Sequence, residues 1–133
     1  MNAGVETPRD PPLKGCVLVV DDDPEIVTFL VTLLELEGLE PLVATSAAAA
    51  LEQLRRVQPS LVLLDIAMPG QDGIELCKAL KSNPETSAVP IFVISARPGR
   101  EVVERALAAG AEQFIRKPFE NLELIERIRK RLG

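Results

Sequence analysis

The sequence predicts an α/β domain in which a doubly wound, five-stranded parallel sheet carries helices on both faces. Three observations lead to this prediction. Short apolar runs, partly β-branched, alternate five times with segments of helical period over roughly 115 residues. The three central runs are almost continuously apolar, as expected of strands buried on both faces of a parallel sheet. Right-handed crossovers then leave very few topologies for five such units.

Each apolar run is predicted to form one strand, and each segment between them one helix. The predicted strands are Cys16–Val20, Pro41–Ala44, Leu61–Leu64, Ile91–Ile94 and Gln113–Ile115. The apolar faces of the five helices are predicted from Ile26, Leu30, Leu33 and Leu34; from Ala47, Ala50, Leu51 and Leu54; from Ile74, Cys77 and Leu80; from Val102, Val103, Ala106 and Leu107; and from Leu122, Ile125, Ile128 and Leu132.

The boundaries of the helices follow from capping residues and helix breakers. The first helix begins at Asp23-Pro24, where aspartate caps the helix and proline occupies the first turn. A cap at Thr45 or Ser46 opens the second helix. The third ends near Asn83-Pro84, and Gly110 stops the fourth.

Length and composition exclude several classes of function. The chain has 133 residues, a formal net charge of −5 and no histidine. One domain is predicted over residues 13–133, after a proline-containing tail over residues 1–12 that is predicted to be disordered. The acidic balance argues against direct nucleic-acid binding. The missing histidine excludes His-based triads, His-ligated zinc and phosphohistidine.

The sequence also predicts a cytoplasmic location. Cys16 and Cys77 lie far apart in apolar contexts and are interpreted as small buried residues of a reducing compartment. The N-terminus lacks the basic and apolar regions of a secretory signal, and no apolar run approaches the roughly 20 residues that span a bilayer. No membrane contact is therefore expected.

Polar and charged side chains follow four of the five predicted strands. Asp21-Asp22-Asp23 follow the first strand, Asp65 the third, Ser95 the fourth and Lys117 the fifth. Ligands of open parallel sheets bind outside the carboxyl ends of the strands, so these groups are predicted to converge. Crowded carboxylates repel one another, and at least one pKa rises unless a cation intervenes. Oxygen ligands of this kind suit Mg²⁺, which we therefore predict as a cofactor.

Each of these residues also has a simpler interpretation. Asp23 is accepted as the cap of the first helix. Asp65 precedes a Met68-Pro69-Gly70 turn that an aspartate often initiates, and an isolated lysine such as Lys117 is more often a surface residue. The functional interpretation is favoured, because a carboxylate facing a metal acts as a nucleophile towards phosphorus while Lys117 and the Ser95 hydroxyl neutralise phosphoryl oxygens.

Four motifs, taken in order, resemble the receiver domain of two-component response regulators. They are VLVVDDDPEI at 17–26, LVLLDIAMPGQDG at 61–73, IFVISA at 91–96 and FIRKPF at 114–119. The spacings of 30 residues from Asp65 to Ser95 and 52 from Asp65 to Lys117 also fit that family. The resemblance covers about 13–132 and implies a (βα)5 flavodoxin-like fold with strand order 2-1-3-4-5.

The resemblance implies the roles of the acidic residues. Asp65 is expected to accept a phosphoryl group from a histidine kinase, a phosphotransfer protein or a small-molecule donor. Asp22 is expected to bind Mg²⁺ directly and Asp21 directly or through water. Asp65 itself and the backbone carbonyl of Ala67 complete the expected metal ligands.

The resemblance also implies a switch. Lys117 is expected to pair with the phosphoryl oxygens, and Ser95 to move and hydrogen-bond one of them. Phe114 matches the aromatic residue that swings inward when Ser95 moves, and the peptide bond before Pro118 is cis in the family. Serine here replaces the more frequent threonine, and phenylalanine the more frequent tyrosine, so the phenol is lost while the phosphoacceptor chemistry is kept.

Two further expectations concern phosphate lifetime and output. Ala67 and Arg97 flank the site of water attack, and Ala67 has no polar group to orient that water, so slow self-dephosphorylation is expected. The surface of helix four, strand five and helix five is the family's usual output face. Its charged side chains are expected either to pair with those of a second copy in a homodimer or to remain solvated. The basic end at 127–131 is explained by its position at a helix C-terminus, and no DNA-binding motif is present.

Three other functions remain as alternatives. A pseudo-receiver would act as a binding scaffold without phosphorylation. A phosphatase of the haloacid dehalogenase type would place its nucleophile at Asp21, within the Asp-x-Asp, but the sequence after Asp23 does not fit. Flavodoxin-like FMN binding shares the fold class, but the chain has no Trp or Tyr and no phosphate-cradling loop after the first strand.

Overall fold

The computed structural model describes residues 13–68, 73–96 and 99–133. The predicted tail at 1–12, the turn residues Pro69 and Gly70, and Arg97 therefore lie outside the described residues. Within them, five parallel strands form one sheet in the order β2-β1-β3-β4-β5. This confirms the predicted fold class and strand order.

The strands agree with the predicted runs within one residue at either end. They are β1 Cys16–Val20, β2 Glu40–Ala44, β3 Leu61–Leu64, β4 Ile91–Ser95 and β5 Gln113–Arg116. The helices are α1 Pro24–Leu36, α2 Ala47–Leu54, α3 Gly73–Ser82, α4 Arg100–Ala108 and α5 Asn121–Leu132. Among the described residues, no helix has both the length and the apolar character needed to cross a membrane.

Alternation along the strands divides the core into two layers. Val17 and Val19 of β1 pack with α1 and α5, whereas Leu18 and Val20 pack with α2, α3 and α4. Successive strand side chains point to opposite faces, so a continuously apolar strand supplies both layers at once. The sheet is thus covered on both faces, and ligands can approach its strand ends.

The helix boundaries have the predicted chemistry. Asp23 Oδ1 accepts a hydrogen bond of 2.9 Å from the Glu25 N–H at the start of α1. Ser46 is the cap of α2, since its Oγ accepts from the Ala49 N–H at 3.0 Å. Gly110 follows α4 with a φ of +112°, a conformation that favours glycine and ends the helix.

Three leucines predicted to face the core are exposed instead. Leu122 is 78% exposed, because the buried stripe of α5 includes Leu124, which lies about 200° away around a helix. Leu51 and Leu107 are 43% and 46% exposed. Each follows a fully buried alanine by one position, about 100° around the helix, and so turns towards solvent.

The two cysteines have different environments. Cys77 is buried in the core as predicted, but Cys16, at the first position of β1, is only half-buried. Both are free thiols.

Candidate functional site

Three carboxylates meet at the carboxyl end of the sheet. One oxygen from each of Asp21, Asp22 and Asp65 lies within 4.8 Å of the other two. Asp21 and Asp65 are buried and Asp22 is exposed, so the cluster has one open side. The structure thus brings together the aspartates that the sequence placed after two different strands.

The register of the central strands explains this meeting. β1 and β3 are neighbours, and their last residues, Val20 and Leu64, are register partners. The ladder continues one step further, because the Asp65 N–H donates to the Val20 carbonyl at 2.9 Å. The Asp21 N–H donates to the Ala44 carbonyl of β2 at 3.1 Å. Both aspartates therefore leave the sheet at the same level, with their backbones fixed by strand hydrogen bonds.

Local backbone groups hold one oxygen of each buried carboxylate. Asp65 Oδ1 accepts from the Ala67 N–H at 2.9 Å, and Asp21 Oδ1 accepts from the Asp23 N–H at 3.0 Å. Each bond spans two residues, the geometry of an aspartate that orders the turn after it. The predicted turn-forming role of Asp65 therefore coexists with its place in the cluster.

Lys117 contacts the remaining oxygen of both buried carboxylates. Its Nζ lies 3.0 Å from Asp21 Oδ2 and 3.5 Å from Asp65 Oδ2. The lysine follows β5, where its N–H donates to the Ser95 carbonyl at 2.9 Å, and the Lys117–Pro118 peptide bond is cis. Only 15% of its side chain is exposed, so it is no ordinary surface lysine.

The pKa of Asp65 is raised above its ordinary value. Burial is the largest cause, because desolvation penalises the charged carboxylate, and the nearby charge of Asp21 adds to it. The Ala67 N–H and the Lys117 ammonium act in the opposite direction. The lysine thus reduces, without removing, the electrostatic cost predicted for crowded carboxylates.

Ser95 and Phe114 lie beside this cluster on the last two strands. Ser95 is fully buried at the end of β4, opposite Arg116 of β5. Phe114 pairs with Val93 and is half-buried against the core layer of α2, α3 and α4. The two predicted switch residues therefore lie on adjacent strands, one at the site and one in the layer behind it.

The segment after Asp65 is fixed by a close approach. Gly73 begins α3, and a Cβ added to it would lie 2.4 Å from Ile66 Cα. Only glycine fits there without a backbone shift next to Asp65. Ala67, the second residue after Asp65, is exposed at the mouth of the site. The placement of Arg97 relative to it lies outside the described residues.

The ligand set at this edge fits a hard divalent cation. Carboxylate oxygens suit Mg²⁺, which keeps several waters and uses one or two protein carboxylates. The exposed position of Asp22 leaves an approach for water and for a phosphate group. Within the part of the chain that the structure describes, the three clustered carboxylates contact one ammonium, that of Lys117 on Asp21 and Asp65, and a divalent cation would balance the remaining negative charge.

The sequence interpretation missed an aromatic contact beside the site. The rings of Phe29 on α1 and Phe119 after β5 have centroids 5.9 Å apart. Phe29 is 39% exposed and, with Pro24, Glu25, Thr28 and Thr32, lines a shallow groove along α1. The sequence does show that Phe29 lies outside the apolar face of α1. Composition alone, however, does not distinguish such a phenylalanine from one in the core.

Fold and site together define an open, doubly wound α/β protein with an acidic centre and a lysine at its carboxyl edge. A family model described as "Response regulator receiver domain" matches residues 17–129. The chain belongs to this family of receiver domains, the signalling modules of two-component systems. It is a signalling domain rather than a classical enzyme.

Similar proteins agree with this assignment. The "DNA-binding response regulator MtrA" of Mycolicibacterium smegmatis is 39% identical over 120 residues, which cover 90% of this chain and 51% of that protein. The chain thus spans about half the length of the curated relatives it matches. A putative response regulator from Chloroflexus aurantiacus superposes with a TM-score of 0.83 at 33% identity, covering 91% of this chain and 98% of that one. The BeF3-activated N-terminal receiver domain of RstA from Klebsiella pneumoniae gives 0.82 at 31%, covering 88% and 97%.

Proposed function

We propose that this chain is a phosphoacceptor of a two-component system, in which Asp65 receives a phosphoryl group in a Mg²⁺-dependent reaction. The observation that carries the proposal is the buried Asp65 carboxylate, which accepts from the Ala67 N–H, is bridged by Lys117 to Asp21 and lies close to Asp22. Residues 13–133 act as one receiver module, and we place the protein in the cytoplasm, consistent with its two free cysteines.

Asp21, Asp22 and Asp65 supply the side-chain ligands for Mg²⁺, with the Ala67 carbonyl as the proposed backbone ligand. When bound, the cation neutralises charge on the transferring phosphoryl oxygens. Asp21 is fixed by its backbone ladder and by the Asp23 N–H, so it offers a preorganised oxygen. Asp22 is exposed and adjusts more freely.

Asp65 performs the covalent step as a nucleophile. Its carboxylate oxygen forms a bond to phosphorus while the P–N bond of a donor phosphohistidine breaks, which yields an aspartyl phosphate and a free histidine on the donor. Lys117 then pairs with a phosphoryl oxygen. Ser95, on the neighbouring strand, hydrogen-bonds another, and Phe114 follows that movement.

The phosphodonor protein docks beside α1. A donor histidine must approach Asp65 at the open carboxyl edge, and the groove along α1 borders that edge, since Pro24 and Glu25 directly follow the aspartates. The half-exposed Phe29 ring, in contact with Phe119, provides apolar surface there. Receiver domains interact with histidine kinases, and such a surface suits a partner helix.

The proposed output surface is formed by α4, β5 and α5, and a homodimer through it remains part of the proposal. Some of its charges are paired within the chain: Arg127 binds Glu123 at 3.1 Å, and Arg131 binds Glu112 at 2.8 Å. Leu107 adds exposed apolar surface. A dimer would therefore form by exchanging existing pairs for equivalent pairs across a two-fold axis. We propose no direct contact with nucleic acid for this chain.

The alternatives are less well supported. A scaffold without phosphorylation would leave the buried acceptor, the acidic pair and the lysine without a use. A phosphatase with Asp21 as its nucleophile is less well supported than phosphorylation of Asp65, because Lys117 holds Asp21 Oδ2 more closely than it holds Asp65 Oδ2. Asp65 has the same kind of bonds, but its Lys117 contact is longer, at 3.5 Å against 3.0 Å.

Intact mass after incubation with acetyl phosphate and Mg²⁺ tests the proposal. The wild type is expected to gain one phosphoryl group and Asp65→Asn none. Asp23→Asn is the matched control, because it makes the same change directly after the cluster residue Asp22 and asparagine caps a helix equally well. An Asp65→Asn protein that is still modified, or a wild type that never is, would contradict the proposal.

A further inference from the structure

The strand β2 forms an apolar edge of the sheet. It is the outermost strand on its side, next to β1, and its residues Pro41, Leu42 and Val43 are half-buried. An edge strand of this kind presents backbone N–H and C=O groups on which a second chain can add a strand, and apolar side chains favour that addition. Self-association at β2 is therefore expected unless the edge is protected.

The hydrogen bonds to β1 show which backbone groups of β2 point outward. The Glu40 N–H donates to the Gly15 carbonyl at 3.0 Å, and the Ala44 carbonyl accepts from the Asp21 N–H at 3.1 Å. Backbone groups of successive residues point to opposite sides of a strand, so positions 40, 42 and 44 face β1 and positions 41 and 43 face outward. An added strand would depend on the N–H and C=O groups at positions 41 and 43.

Both outward-facing positions have lost one of these groups, each by a different means. Position 41 is a proline, which has no N–H to donate. At position 43, the Val43 carbonyl already accepts from Nε2 of Gln53, on α2. Two copies related by a two-fold axis would pair their β2 strands antiparallel, an arrangement in which opposite residues exchange both bonds. Neither position has both groups available for such an exchange.

We propose that Pro41 and Gln53 together block the addition of a strand from a second copy of this chain at β2. The inference concerns assembly and depends neither on phosphorylation nor on the metal site. At the opposite edge, β5 contains no proline, and Gln113 Oε1 accepts from the Arg127 guanidinium at 3.0 Å. Within the described residues, the pairing of an edge proline with a glutamine is thus not repeated on β5, the side on which the proposed homodimer forms.

Restoring the two missing groups should open the edge. Pro41→Val restores the N–H with a residue that favours strands, and Gln53→Leu removes the side-chain donor while nearly keeping its size. Sedimentation velocity over a concentration series measures self-association. The double variant is expected to associate roughly tenfold or more tightly than the wild type, and each single variant to show a smaller gain.

A control variant and a position-specific readout separate edge pairing from other association. Glu52→Leu adds a leucine on α2 at the neighbouring exposed position and leaves Gln53 in place, so it should associate as the wild type does. Amide hydrogen exchange, followed by NMR, locates the contact. The outward-facing Val43 N–H should become protected in the associated double variant relative to the wild type.

A folded double variant that associates no more tightly than the wild type would overturn the proposal. Association without protection of the Val43 N–H would also overturn it, because the contact would then lie elsewhere. An equal gain in Glu52→Leu would make added apolar surface the cause and would overturn it as well. If circular dichroism shows that the double variant does not fold, Pro41→Val alone, which leaves α2 unchanged, is measured in its place. Its smaller gain in association, with protection at Val43, would support the proposal, and the absence of either would contradict it.

Discussion

The two ends of the sheet use the same kinds of charged group in opposite ways. At the carboxyl end, three carboxylates cluster, and Lys117 contacts two of them, Asp21 and Asp65. At the amino end, where α1 and α5 finish, Glu37 and Arg129 form a one-to-one pair at 2.7 Å. Beside that pair, the Leu13 N–H donates to the Glu37 carbonyl at 2.9 Å and the leucine side chain is buried.

The two ends differ in charge balance as well as in burial. The Glu37 and Arg129 side chains are 22% and 23% exposed and neutralise each other, so this pair contributes to stability and has no excess charge for a ligand. Among the described residues, the cluster of Asp21, Asp22 and Asp65 has more carboxylates than the one ammonium it contacts, and the pKa of Asp65 is raised there. Unbalanced negative charge at one end of the sheet favours the binding of a cation, and the bound cation in turn favours a phosphoryl group there.

Removing the metal should have the largest effect of these changes on the rate of phosphorylation. It should act only at the carboxyl end of the sheet. EDTA is expected to reduce the rate of phosphorylation by acetyl phosphate by about a hundredfold or more, because the cation neutralises the phosphoryl oxygens. The rate is measured by intact mass against time. Glu37→Gln, which alters the amino end, should be phosphorylated at the wild-type rate in Mg²⁺; a reduced rate would mean that the two ends are not independent.

Ala67→Asn should shorten the lifetime of the phosphorylated state by roughly tenfold. Ala67 is exposed at the mouth of the site, and an amide there can orient the attacking water. Loss of the phosphoryl mass with time after donor removal measures this lifetime. Rapid loss from the wild type itself would contradict the expectation of slow self-dephosphorylation.

Glu37→Gln should lower the free energy of unfolding by about 1–2 kcal/mol, because it leaves a partly buried guanidinium without its charged partner. Urea denaturation measures the change. Glu52→Gln is the control, since its pairs with Arg55 and Arg56 are exposed, and it should leave the free energy of unfolding nearly unchanged. Equal losses in the two variants would remove the distinction between a buried and an exposed pair.

The pH dependence of stability should reveal the cost of the buried Asp65 carboxylate. Its folded-state pKa is raised above the ordinary 3.8, so the native state holds this proton more tightly than the unfolded state does. The free energy of unfolding contributed by this group therefore falls as the pH rises from about 3.8 through the folded-state pKa. Urea denaturation in EDTA should show a smaller fall for Asp65→Asn and a higher stability at neutral pH. A lower neutral-pH stability of this variant would mean that Lys117 outweighs desolvation.

Fold and site differ in how far the sequence predicts them. The strands and their order follow from period and apolarity, and the aspartates follow from their positions directly after strands. The pairing of Lys117 with both Asp21 and Asp65 could not be predicted, because side-chain direction at a strand end depends on tertiary packing. Glu37 and Arg129 lie 92 residues apart, and no local pattern connects them.

The misassigned helix faces have a similar cause. Leu122 and Leu107 satisfy a helical period, but several stripes are compatible with a short helix rich in leucine and alanine, and contact with the sheet decides between them. The unequal exposure of Asp21 and Asp22 likewise depends on which of the two continues the hydrogen bonds between β1 and β2. The register of the two strands decides this, and here it is Asp21.

Locating the phosphoryl group tests the central claim most directly. Borohydride reduction after phosphorylation in Mg²⁺ converts an aspartyl phosphate to homoserine with release of phosphate, and peptide mass spectrometry identifies the residue. Homoserine at position 65 alone, and none after incubation in EDTA, is the predicted result. Homoserine at position 21 or 22 would contradict the assignment of Asp65 as acceptor, and at position 21 it would point to the Asp-x-Asp chemistry of a phosphatase.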